Sequence, residues 1–308
     1  MPGGGGFQLP ATATVGRNPA SGVVVYYSLK AKPATEVVLE FLDSTGKSIR
    51  KFTGRPPRPG AGGAGAAASA PAGEGDGGGG PTVPIEAGLN RFVWDMRYAD
   101  SVRFPGMILW AGETRGPKVV PGAYQVKLTV DGATMTETFE VRSDPRLSTT
   151  AAEYAKQLDL SLKIRDKLNE THNAIIQIRD VKKQIEDLVK RVGGPGTIAD
   201  SGKSLIRKLT DVEEALYQTK NQSSQDPLNF PIRLNNKLAA LGGVVSQSET
   251  PPNEQSYAVY EALVAQINAQ LSKLAGIIKT DVPSFNQMVR DANIPAVVVK
   301  PAGDTPRP

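Results

Sequence analysis

The chain has 308 residues, with 36 Lys and Arg against 31 Asp and Glu, one His, no Cys and 39% hydrophobic residues. That length holds two modest domains at roughly 100–200 residues each. The absence of Cys excludes disulfides, thiolate metal sites, iron–sulfur clusters and cysteine nucleophiles, and a single imidazole excludes a multi-histidine metal cage. The formal charge of +5 is mild, no Lys/Arg run is dense enough for a nucleic-acid arm, and no stretch of about 18 apolar residues is present.

Residues 1–22 open on Met-Pro-Gly-Gly-Gly-Gly, carry no signal-peptide pattern and read as a flexible linker. From Val23 the chain turns β-branched and aromatic (Val23 to Leu29), which suits a pleated strand. Glu36–Leu42 and Lys47–Phe52, joined by a loop containing Gly46, predict a β-hairpin. Residues 54–82 then carry 11 Gly, 7 Ala and 5 Pro in 29 positions. Such a segment buries too little to offset its chain entropy, so it is expected to be a disordered insertion between strands. Structure resumes at Leu89–Asp95, with Leu89, Phe92 and Trp94 as expected anchors. A Gly/Pro-rich connection through Trp110 leads to Tyr124, Val126, Leu128 and Val130, which alternate with polar residues. Asp131-Gly132 is a strong hairpin signal and returns the chain along Met135–Val141. The whole predicts an antiparallel Ig-like β-sandwich over 23–144.

Beyond Asp144-Pro145 the period changes. Thr149 to Arg191 lacks Pro and Gly, and Leu158, Leu162, Leu168, Ile175, Ile178, Ile185 and Val189 mark one face of a long helix. Gly193–Gly196 ends it. A second helix is predicted from Ser201 to Asn221 with Leu205, Leu209, Val212 and Leu216 on one face, capped by Asp200 or Ser201. A third carries Leu234, Leu238 and Leu241. A fourth starts near Asn253 and is kinked or ended at Pro283. Together they predict an antiparallel α-helical bundle or long helical hairpin over 145–293, and 294–308 read as a flexible tail.

No motif here carries catalysis. Gly196 to Ser204 imitates a P-loop, but five residues separate Gly196 from Gly202-Lys203-Ser204 where four are required, and no strand precedes it. His172 reads as a partly buried or surface helical residue without a nucleophile or orienting partner. Trp94 with Asp95 reads as a core plug ending a strand. Asp95 and Asp100 make no convincing glycosidase pair, and Glu113 sits in a loop read as flexible. Trp110 in its Gly-rich connection, with Leu228 and Phe230 in the 225–238 segment, forms the expected contact surface, because these large apolar groups lie outside any periodic face. No catalytic, cofactor-binding or metal residue is assigned.

Several stretches together resemble a known family. Gly88–Tyr98, Phe104–Gly112, Pro121–Tyr124, Lys163–Leu168 and Pro227–Leu238 resemble, in content and order, the C-terminal region of bacterial sortilin-type, BNR (Asp-box) β-propeller proteins described as glycosyl hydrolase-like. Asn90–Asp95 and Pro121–Val130 are also similar to the Ig-like module of flagellar hook-capping proteins and secretion-system sorting domains. The resemblance implies an extracytoplasmic protein and, as partner, another protein or a propeller upstream of this region. This chain has no Ser-x-Asp-x-Gly-x-x-Trp repeat, so no catalytic residue carries over. The expectation is a non-catalytic docking or spacing module. Its rival, a carbohydrate-binding module or part of a sialidase-like enzyme, requires Trp94, Trp110, Asp95 and Glu113 to converge on one pocket. A third reading, a bare helical spacer, requires the absence of any sizeable apolar patch.

Overall fold

In a computed structural model of the chain, residues 19–56, 81–192 and 196–294 are described. The linker, insertion and tail read from the sequence fall mostly outside them, as do 193–195. Six strands come first: β1 (Val23–Leu29), β2 (Val37–Asp43), β3 (Ser48–Gly54), β4 (Gly88–Trp94), β5 (Gly122–Val130) and β6 (Ala133–Val141). They form two antiparallel sheets, a pair β1-β4 and a four-stranded sheet ordered β3-β2-β5-β6. Asp131 and Gly132 both have positive φ, 47° and 84°, as the two-residue hairpin between β5 and β6 demands.

The two sheets share one core. Val37, Leu39, Phe41, Phe52, Phe92, Trp94 and Tyr124 are all buried in it. The period of two explains the face each residue takes. On β4, Asn90, Phe92 and Trp94 point inward, which leaves Leu89 75% exposed. Leu89 is therefore no anchor: the inner place belongs to Asn90, whose amide bonds the backbone of Glu86 and Gly88.

The helices are α1 (Ala151–Val192), α2 (Thr197–Leu216), α3 (Leu234–Val245), α4 (Glu254–Gly276) and α5 (Val282–Asp291). At 1.5 Å per residue α1 is about 63 Å long. A capping box starts it: the Thr150 N–H and hydroxyl both reach the Glu153 carboxylate at 2.8 Å. In its first half the buried face runs through Leu160, Ile164 and Leu168, with Leu158 and Leu162 only at its margin.

Contacts between the helices set their directions. Glu213 near the end of α2 meets Arg179, while Gly202 near its start faces Ile185 and Val189, so α2 runs antiparallel to the second half of α1. Asn235 at the start of α3 meets His172, and Val245 at its end accepts from Gln157, so α3 runs antiparallel to the first half. The Tyr260 hydroxyl donates to Lys163 O and the Lys167 ammonium to Asn268 Oδ1, so α4 runs parallel to α1 and the bundle is not, as its pattern predicted, antiparallel throughout.

Two helix boundaries differ from the sequence reading. Helix α2 begins at Thr197 behind Gly196, which offers no side-chain cap; Asp200 and Ser201 already lie inside it. The earlier start buries Ile198 and Ala199, which a start at Ser201 would leave outside the packing. The P-loop look-alike is thus helical, with Gly202 placed for close approach: a Cβ there would stand 2.8 Å from Val189 Cγ2. The fourth helix gives way near Pro283 without a loop: α4 ends at Gly276 and α5 starts at Val282. A π turn over Ile277–Asp281 joins α4 to α5, with the Val282 N–H bonded to Ile277 O, and Pro283 sits in the first turn of α5 where its missing N–H costs nothing.

Candidate functional site

The connection from β4 to β5 joins sheets to helices. Its two arms fold back on one another: the Tyr98 N–H donates to Pro117 O at 2.9 Å, Ser101 N–H to Thr114 O at 2.8 Å and Val119 N–H to Met96 O at 2.8 Å. The arms touch at Gly116, where a Cβ would lie 2.0 Å from Tyr98 O, so only glycine fits. The tip then enters the helical core, to which Phe104 and Met107 belong.

Buried peptide groups need partners, and here the helices supply them through side chains. On α1, Asn169 Oδ1 accepts the Val102 N–H at 2.7 Å, and His172 Nδ1 lies 2.5 Å from Val102 O. Tyr217, just past α2, accepts from Ile108 N–H at 3.0 Å and donates to Gly106 O at 3.1 Å. Asn236 on α3 holds both the N–H and the C=O of Trp110 at 2.7 Å. The Glu113 N–H donates to Ala239 O at 3.1 Å. The Phe104 ring meets His172 and Tyr217 edge-on at 5.3 and 4.9 Å, with the Arg179 guanidinium 4.7 Å over its face. The segment carrying Trp110 and Glu113 is therefore a fixed clasp, not the flexible loop read from its Gly and Pro content. Composition shows that a segment lacks regular structure; it does not show that side chains elsewhere hold its backbone.

His172 is likewise corrected: it is fully buried. Because Nδ1 faces a carbonyl it carries the proton, which leaves Nε2 as acceptor for the Asn235 amide at 3.3 Å. Burial, reinforced by Arg103, holds its pKa below the ordinary 6.5, opposed by the bond to Val102. The sign follows. Below about pH 6.5 the unfolded chain takes up a proton that the folded chain refuses, so stability falls as pH drops through this window, at up to about 1.4 kcal/mol per pH unit. The chain has one histidine. Melting temperatures between pH 5 and 7 are thus expected to slope in the native chain and to flatten in His172→Gln; equal slopes would remove His172 as the cause.

The expected contact residues fall in two places. Trp110 is 38% exposed, with its backbone locked to the first turn of α3. Leu228, 71% exposed, ends a 3₁₀ turn over Asp226–Leu228, and Phe230 is half-buried with Lys220 Nζ 5.9 Å over its ring. Backbone N–H groups of Gln222 and Ser223 donate to the Asp226 carboxylate and hold it below the usual range. No hydrogen bond or ring contact among the described residues joins Trp110 to Leu228 or Phe230. Trp94 is closed off: it is fully buried, stacked on Phe41 at 4.3 Å, and its Nε1–H donates to Arg97 O at 3.0 Å. Asp95 and Asp100 both lie within ion-pair reach of Arg50, and Glu113 pairs with Arg115.

A groove of about 780 Å³ runs along the junction, between the base of the clasp and the β6–α1 connection on one side and α1 with the end of α3 on the other. Tyr154, Leu147 and Val119 give it apolar walls, and its charged lining is mixed: Arg97, Lys118, Arg142 and Arg146 with Asp144 and Glu249. Arg146 is engaged with Asp144. Arg97 differs from it. Its half-buried guanidinium donates to Gly116 O at 2.8 Å and has no carboxylate within ion-pair distance among the described residues. Burial, then repulsion from Arg115, lowers its pKa, opposed by the charges of Asp95, Glu113 and Asp100. Sequence reading missed Arg97, Asn169, Asn235 and Asn236. The His172 place was open to reading, because 168, 172 and 175 fall on one helical face.

Among the described residues no cluster of three or more His, Asp or Glu is placed to hold a metal, and no helix is long and apolar enough to cross a membrane. No protein-family model matches the chain, and no curated protein or solved structure matches it.

Proposed function

We propose that the chain is a non-catalytic docking module, an Ig-like β-sandwich clasped onto a helical bundle of mixed direction, which receives an extended, acidic and apolar segment of a protein partner in the junction groove. The supporting observation is the half-buried Arg97 side chain, which lines that groove with no carboxylate within ion-pair distance among the described residues. A desolvated arginine beside aromatic and aliphatic walls suits an interface anchor. The clasp supplies rigidity, so little ordering cost falls on binding. The motif order from Gly88 to Leu238 supports an extracytoplasmic setting, with a β-propeller or other protein as the partner. The rival carbohydrate-binding reading loses its platform, since the Trp94 ring is enclosed and the carboxylates nearest it are engaged with Arg50.

Peptide display on the purified chain tests this reading. Selected peptides are expected to carry Asp or Glu beside apolar residues and to bind at least about tenfold more weakly, or 1.4 kcal/mol, to Arg97→Met. Peptides lacking acidic residues, or indifferent to Arg97→Met, would reject the groove as the docking site.

A further inference from the structure

A second, smaller recess adjoins the junction groove and shares Arg97, Pro117, Ser161 and Ser246 with it. Its volume of about 30 Å³ admits a water molecule or the head of a carboxylate. Buried Ile164 and Leu168 of α1 give it apolar surface, and the clasp adds Ser101.

The polar lining of this recess is rich in donors and short of acceptors. Ser161 is 9% exposed and Ser101 only 1%, yet neither hydroxyl has a hydrogen-bond partner among the described residues. Arg97 directs Nη1–H to Gly116 O at 2.8 Å, and its other N–H groups have no acceptor among the described residues. The remaining polar side chains of the lining are engaged: Arg115 with Glu113, Arg165 with Asp166 and the Ser246 hydroxyl with Gly242 O. The carboxylates whose charge reaches Arg97 are spent as well, Asp95 and Asp100 on Arg50 and Glu113 on Arg115. Buried polar groups are normally paired. Three side chains with unused donors line one recess, and the chain supplies no acceptor for them.

We propose that this recess is a carboxylate subsite: on the docking reading of the groove, an Asp or Glu side chain of the partner segment enters it and accepts from Arg97, Ser101 and Ser161. An ionised carboxylate is an acceptor only, so it can take all three donors, whereas water or an amide brings N–H or O–H groups that this lining cannot satisfy. Its bonds to a guanidinium and to hydroxyls are charge-assisted and short. The apolar surface of Ile164 and Leu168 keeps solvent away, which strengthens them further.

Sodium acetate probes the recess by itself. Titrated against chloride at constant ionic strength, it is expected to give saturable NMR shifts of the Arg97 Nε–H and of the Ser161 amide. Binding is expected to weaken about tenfold in Arg97→Met and in Ser161→Ala, each the loss of a hydrogen bond to a charged group. The Ser161 hydroxyl has no partner to lose, so Ser161→Ala is expected to melt with the native chain, which separates a binding role from a structural one. In a second arm, acidic peptides selected on the groove and amidated at the C-terminus are expected to displace acetate, and the same peptides with the acid replaced by its amide are expected to fail. No saturable shift with acetate, or shifts indifferent to both substitutions, would overturn the subsite, and peptides still bound through Arg97 would then leave the docking reading standing. Acetate held in the recess but displaced by no acidic peptide would overturn the entry of a partner side chain, and the docking reading with it.

Discussion

Trp94→Ala is expected to lower the stability of the sheets by about 3–5 kcal/mol, the cost of emptying a fully packed aromatic site. The indole is completely buried, stacked on Phe41 at 4.3 Å, and edge-on to Tyr124 and Phe139 at 6.4 and 6.2 Å. These rings belong to β2, β5 and β6, so the cavity would open where both sheets meet. The substitution also removes the Nε1–H donor to Arg97 O, and a buried carbonyl left without its donor adds to the loss. The helices have a core of their own, built from α1 to α5 with Phe104 and Met107. The variant is thus expected to melt in two steps, with the strand signal lost first and the helical ellipticity at its former temperature. Trp110, then the last tryptophan, reports the clasp separately. A single transition in which strand and helix signals fall together would show that the clasp merges the two cores into one cooperative unit.

Local patterning in the sequence reached the elements and most of the core. Alternation placed Tyr124 and Trp94 inward, and the stripe Leu205, Leu209, Val212 and Leu216 is buried as its spacing requires. At Leu89 hydrophobicity and parity disagree, and parity decides: Phe92 and Trp94 fix the inner row, and Leu89 is on the other. What could not be read locally is the clasp. Asn169, His172, Tyr217 and Asn236 are separated from the backbone groups they hold by 67 to 126 residues, and nothing in the periodicity of either partner announces the pairing. Polar residues on an otherwise apolar helical face were the available trace. His172 between Leu168 and Ile175 is one, and Asn235 beside Leu234 and Leu238 is another. A polar group at such a position must find a partner or be excluded from the core, and the partners here are the peptide groups of a segment that looks unstructured.

The same reasoning makes Glu213 the strongest electrostatic test in the helical part. Its carboxylate is nearly fully buried on α2 and accepts from Arg179 Nε at 2.7 Å and Lys182 Nζ at 3.0 Å, both on α1. Removing one member of a buried ionic group leaves the others without compensation, and breaking a buried pair costs about 3–5 kcal/mol. Both cations retain some contact with solvent, so Glu213→Ala is expected near the lower bound, at about 3 kcal/mol. Glu213→Gln keeps an acceptor and loses only the charge, and its loss is expected to be smaller. The effect should not stay local. Arg179 also donates to Pro105 O at 3.1 Å and lies 4.7 and 5.4 Å over the rings of Phe104 and Tyr217. An arginine released from Glu213 loosens the clasp at its deepest point, and Trp110 emission is expected to shift to longer wavelength in Glu213→Ala before global unfolding. Urea titration of the two variants, followed by ellipticity and by tryptophan emission, checks both statements. A loss below about 1 kcal/mol in Glu213→Ala, the range of an exposed pair, would mean that solvent already screens the carboxylate and that α1 and α2 are held by Leu209, Val212 and Leu216 alone.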